Sequence, residues 1–164
     1  MELIADEILE EFRSLSIDAG AVSAQPSPHT LRNAHTNFYA TATEQVADFE
    51  LHDQSIHLRA WPVQYEWNYD DGSALATFLD PGGVIESENI GEQTQTSHQY
   101  AETGDYAVRL SVTYRAVYQV NGGVEVPVPG DATFTATPLT VSVWRSVVNN
   151  FADNCLENPN GAGC

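Results

Sequence analysis

Lysine is absent from this chain of 164 residues, and its six cationic side chains are all arginine against 23 aspartates and glutamates, for a formal charge of −17. Without lysine there is no Schiff-base chemistry, no Ser–Lys nucleophile pair, no phosphate-binding P-loop and no Lys–Asn isopeptide cross-link. The shortage of positive charge also argues against nucleic acid and anionic membranes, which recruit proteins through basic patches and counterion release. Long apolar runs are missing as well. No stretch reaches the roughly 18–20 apolar residues of a membrane helix, and residues 1–20 lack the basic start and apolar run of a secretory signal.

Cysteine is scarce: Cys155 and Cys164 are the only two, and they flank the turn-forming segment Leu156–Gly163. A disulfide closing this tail is expected, with two free thiols as the alternative. Eight intervening residues fit neither a CxxC metal site nor a redox motif. The disulfide favours an extracellular or cell-surface location, with any signal or anchor lying outside this sequence. The five histidines, His29, His35, His52, His57 and His98, show no zinc-ligand spacing, and no serine sits in a nucleophile elbow. Neither cysteine has a credible histidine partner, and no cofactor is expected.

What remains is ample for a core, since 42% of residues are hydrophobic and 10% aromatic. Leu3, Ile4, Ile8, Phe12 and Leu15 recur at three- and four-residue steps, which predicts an amphipathic acidic helix within residues 1–19. Residues 20–35 contain Pro26 and Pro28 and read as a linker. From residue 36 to 148 the period changes to two. Phe38/Ala40/Ala42, Phe49/Leu51, Ile56/Leu58/Ala60 and Val63/Tyr65/Trp67/Tyr69 mark short strands. The longest row runs Tyr106, Val108, Leu110, Val112, Tyr114, Ala116, Tyr118 and Val120, and Asn121-Gly122-Gly123 predicts a tight hairpin after it. Seven or eight such strands describe an all-β antiparallel sandwich. Residues 149–164 form the tail. The long segment Ser73–Gln95, with Asp80-Pro-Gly-Gly83, is the first place to look for specificity.

Two separated motifs carry a family likeness. Tyr65-Glu-Trp-Asn-Tyr-Asp-Asp-Gly72 resembles the Trp-Asp-Phe-Gly-Asp-Gly signature of PKD (polycystic kidney disease) domains, and His98-Gln-Tyr100 followed by Gly104-Asp-Tyr106 resembles that family's second half. The order of elements looks like small exported PKD-domain proteins of actinobacteria. Asn68 stands where the family often has Asp, and Asp70 where it has Gly, which places an acidic side chain in a tight turn.

The resemblance implies an immunoglobulin-like β-sandwich serving as a non-catalytic extracellular module. Its contacts would be with protein or glycan at the cell surface, or it would act as a spacer. Trp67 and Tyr106 are expected in the core, and Asp71-Gly72 in a turn whose carboxylate accepts backbone N–H bonds. His98 and Tyr100 are expected to bond back across the long loop. Tyr65 and Gly104 complete the fold motif. Trp61 and Trp144 are the candidate binding aromatics, because flat rings stack on sugars and protein surfaces. The alternative from another class is a carboxylate- or calcium-dependent hydrolase built on the Asp70–Glu86 region, with Asp70, Asp71, Asp80 and Glu86 as hard oxygen ligands. An enzyme of that kind requires a concave pocket where at least two of these carboxylates converge.

Overall fold

The computed structural model describes residues 2–147, 156–157 and 159–160. The expected Cys155–Cys164 bridge lies outside them. The N-terminal stripe forms helix α1 (Glu2–Ser14). Ile8 and Phe12, one turn apart on one face, are fully buried, and the Phe12 ring meets Phe134 at 5.9 Å between centroids. The helix is therefore part of the core.

The stretch expected as a linker instead holds two strands, β1 (Val22–Gln25) and β2 (His29–Leu31). Pro26 and Pro28 fall between β1 and β2, so neither removes an N–H that a ladder needs. Further along come β3 (His35–Ala40), β4 (Gln45–Leu51), β5 (Gln54–Asn68) and β6 (Ala76–Phe78). A short 3₁₀ turn at Ser87–Asn89 precedes β7 (Ser97–Gln99), β8 (Gly104–Val120), β9 (Val126–Pro127), β10 (Ala132–Thr135) and β11 (Leu139–Trp144).

The architecture is mostly β, with the sheets in a sandwich arrangement. One sheet has the order β1-β3-β7; the larger runs β2-β11-β8-β5-β4, with β6 on β5 and β9 and β10 on β8. Pairing between these strands is antiparallel except that β2 lies parallel to β11, and an isolated parallel bridge joins Ala21 to Thr137.

Strand β8 organises the larger sheet. It pairs along one side with β5 from Arg109 to Val120, and along the other with β11, β10 and β9 in turn. Its row Val108, Leu110, Val112, Tyr114, Ala116 and Tyr118 is buried, and the alternate residues form an outer face.

The apolar rows Ile56/Leu58/Ala60 and Tyr65/Trp67 differ in phase, even against odd, yet both belong to β5. A register shift between Pro62 and Gln64 absorbs one residue and returns the second row to the core side.

Two partners cover the inner face. Near one end Trp67 meets Phe38 of the three-stranded sheet at 6.0 Å between ring centroids. Toward the other end α1 contributes Ile8 and Phe12, and Tyr114 makes an edge contact with Phe134 at 5.8 Å.

Candidate functional site

The chain after Trp67 leaves β5 through a turn built from acidic side chains. Asp70 adopts φ 63° and Gly72 φ 79°. The Asp70 N–H donates to Asn68 Oδ1 at 2.9 Å, and the Asp70 carboxylate accepts the Ala107 N–H at 2.9 Å, so the side chain steadies a conformation that ordinarily favours glycine. Asp71 Oδ1 accepts the Ser73 N–H at 3.1 Å and the Ser73 hydroxyl at 2.5 Å. Its other oxygen lies 2.6 Å from His98 Nε2 on β7.

The His98 ring stacks on Tyr69 at 3.9 Å and meets Tyr100 edge-on at 4.9 Å. Tyr100, fully buried, donates its hydroxyl to the Tyr69 carbonyl at 3.1 Å and stacks on Tyr106. Burial, with a smaller contribution from the Asp71 charge, pushes the Tyr69 hydroxyl up to about 12 and the Tyr100 hydroxyl well above its usual range. Both phenols remain neutral hydrogen-bonding groups. Asp71 feels desolvation most strongly, which raises its pKa. The hydrogen bonds from Ser73 and His98 and the His98 charge together outweigh that effect, leaving the carboxyl below its usual value.

This cluster joins the two sheets. Trp67 and Tyr65 are buried, whereas Tyr106 is half-buried and donates its hydroxyl to the Glu102 carbonyl at 3.0 Å. The aspartates of the Asp70–Glu86 region have different partners. Asp70 serves the backbone of β8 and lies 3.7 Å from Arg109, Asp71 serves Ser73 and His98, and Asp80 caps the Gly82 N–H at 2.8 Å. Glu86 precedes the 3₁₀ turn. Among the described residues there is no group of three or more His, Cys, Asp or Glu placed to hold a metal ion.

The long loop lies along the three-stranded sheet. The Pro81 carbonyl accepts the Ala40 N–H at 2.8 Å, and Asn37 Nδ2 donates to the Gly83 carbonyl at 2.8 Å. Gln25 exchanges two bonds with the Ile85 backbone, at 3.0 and 2.8 Å. These anchors on β1 and β3 were not legible from the loop itself.

The two candidate aromatics occupy different places. Trp61 is half-buried on the outer face of the larger sheet, with the Arg59 guanidinium 5.5 Å from its ring centroid. Arg59 in turn reaches Glu44 at 3.3 Å and Glu125 at 3.1 Å. Trp144 is 57% exposed at the end of β11, its ring 4.7 Å from that of His29. Trp61 is in register with Arg115 and Val143 with Gly104, so Trp144 lies one position beyond Gly104 and the two tryptophans are about 40 Å apart along β8 at ~3.3 Å per residue. They cannot share one small ligand.

The described surface carries clefts away from this cluster. A shallow one of about 670 Å³ lies between α1 and the β4–β5 turn, lined by Leu9, Leu51, His52 and acidic helix residues. A smaller one of about 240 Å³ is lined by residues including Pro26, Leu31, His35 and Ile90. Neither includes Asp70, Asp71, Asp80 or Glu86.

These features define a β-rich sandwich protein with one N-terminal helix. No family model matches the chain, and no solved structure matches it significantly. Among curated proteins it is similar to Protein QNR-71 of Coturnix japonica, 27% identical over 81 residues. That match covers 49% of this chain and 12% of the Coturnix protein.

Proposed function

We propose that this chain is a non-catalytic, PKD-like module of an extracellular or cell-surface protein, with an immunoglobulin-like sandwich that makes protein or carbohydrate contacts or spaces its neighbours. The observation that carries this reading is the commitment of the acidic residues. Asp70, Asp71 and Asp80 spend side-chain oxygens on shaping turns, and neither cleft collects them. A hydrolase would need two such groups converging on a substrate. The interlocked turn and aromatic cluster also suit a module whose task is to hold a surface rigid.

A glycan array and a pull-down from cell-surface extracts test the proposal. The expected outcome is a specific glycan or protein whose capture falls when Trp61→Ala or Trp144→Ala is introduced. Calcium-dependent release of sugar or peptide products, lost in Asp80→Asn or Glu86→Gln, would instead establish the hydrolase.

A further inference from the structure

Helix α1 buries Ile8 and Phe12 in the core and turns other residues toward the cleft beside the β4–β5 turn. This cleft has a volume of about 670 Å³, and Leu9 of the helix and Leu51 at the end of β4 are among the residues that line it. Both leucines are partly buried and pack against the core, so they offer the cleft an apolar wall held in place by the fold. Covering that wall would remove apolar surface from water.

Around the leucines the lining is acidic, with Asp6, Glu7, Glu10 and Glu11 all at the cleft. Glu7 meets His52 Nε2 at 2.5 Å, and Glu10 lies 3.6 Å from Arg13. Asp6 and Glu11 have no ion-pair partner among the described residues. Four carboxylates against Arg13 leave a formal charge of −3 while His52 is neutral. The residues flanking Leu51 and His52 are Glu50 and Asp53, so the turn facing the helix adds no cation beyond His52. Asp6–Glu10 and Glu7–Glu11 are like-charge pairs four residues apart on the helix, and Glu11 sits in its last turn, where the dipole disfavours an acid. The repulsion is concentrated at the cleft, and a cationic ligand would relieve it.

Charge decides among the occupants. A second copy of this chain carries the same −17 and would be repelled, and the residues after Arg145 contain no lysine or arginine, so the chain's own C-terminal tail offers no complement. A segment that combines apolar with basic side chains fits both parts of the lining, because arginine and lysine lay their aliphatic stems on apolar surface and hold their charges at the rim.

We propose that this cleft is the docking site for a basic peptide segment of a partner protein, with an apolar side chain against Leu9 and Leu51 and arginine or lysine side chains meeting Asp6, Glu10 and Glu11. The inference gives the contact module its partner chemistry and rests on that reading.

Two-dimensional NMR of the full, isotope-labelled chain tests it by titration with three short peptides. The first alternates arginine and leucine, the second has serine in place of leucine, and the third has glutamate in place of arginine. The first peptide is expected to move the amide resonances of α1 and of Leu51 and His52 saturably, and the other two to bind at least about tenfold more weakly. Asp6→Asn and Glu11→Gln each weaken binding of the first peptide about two- to fivefold, whereas Glu88→Gln, in the 3₁₀ turn outside the cleft, leaves it unchanged. Melting curves establish that each variant is folded. An equal loss in Glu88→Gln overturns the inference, because overall charge then accounts for binding. Equal affinity for the serine peptide overturns it too, as does the absence of shifts at the cleft. If the arginine–leucine peptide moves resonances at Trp61 or Trp144 instead, the cleft inference fails while the module reading stands. Cleavage of any of the peptides removes the module reading itself.

Discussion

His98 Nε2 and Asp71 Oδ2 lie 2.6 Å apart, joining the turn that ends β5 to strand β7 of the opposite sheet. Both side chains are mostly shielded, at 17% and 16% exposure, so water competes weakly for the bond. Because folding lowers the Asp71 pKa, the folded state holds fewer protons than the unfolded chain in mild acid. The carboxylate's contribution is fully present above its unfolded value of ~3.9 and is lost as pH falls through the lowered folded value. Asp71→Asn is therefore expected to cost roughly 1–3 kcal/mol near neutral pH, with the difference from wild type shrinking in acid. Urea midpoints across the acid range measure this, and a difference that widens on acidification would contradict it.

Trp67 packs against Phe38 and stacks with Tyr69, yet its indole N–H finds no acceptor among the described residues. Trp67→Ala leaves a large cavity and should cost about 3–5 kcal/mol. Trp67→Phe keeps most ring contacts and removes the unpaired donor, so its cost should be less than half as large. Equal losses in denaturant melts would mean that the N–H is satisfied.

Helix α1 covers part of the inner face of the larger sheet. Phe12→Ala removes a fully buried ring beside Phe134 and is expected to cost about 3–5 kcal/mol. Deleting residues 1–18 should lower the melting temperature and create binding sites for a hydrophobic dye, because Phe134 and Tyr114 lose their cover. A truncated chain that melts like the full one would show that the helix is dispensable.

Two adjacent glycines in the long loop should behave oppositely. Gly82 has φ 74°, and a Cβ there would lie 2.5 Å from Thr96 Oγ1 and 2.8 Å from the Phe38 carbonyl, whereas Gly83 faces open space. Gly82→Ala is expected to destabilise by more than about 1 kcal/mol, and Gly83→Ala to be near neutral or slightly stabilising. Thermal melts of the two variants decide the matter.

Much of the strand pattern was legible because burial on one face imposes a period of two, and the row from Val108 to Tyr118 shows it without interruption. Residues 20–35 hold two strands although proline argues against a regular ladder. Its effect is local, and β1 and β2 fit on either side of Pro26 and Pro28. Strand β5 looks like two elements in sequence because its apolar phase changes midway, and a bulge produces the same signal as a strand break.

At the candidate sites, Trp61, Trp144, Asp71 and His98 were legible in the sequence as individual residues, and the sequence could go no further. It could not show that the two tryptophans stand far apart. Register on β8 sets that spacing, because Trp61 lies opposite Arg115 and Trp144 follows Val143, which lies opposite Gly104.

The sequence by itself determined the chemistry available to this protein: no lysine, few cations, an acidic surface and alternating apolar rows that demand sheets. Only the tertiary structure decided which carboxylates shape turns and which pair with arginine. Charge composition is a property of the whole chain, whereas ion pairing depends on distances of a few ångströms that strand register sets.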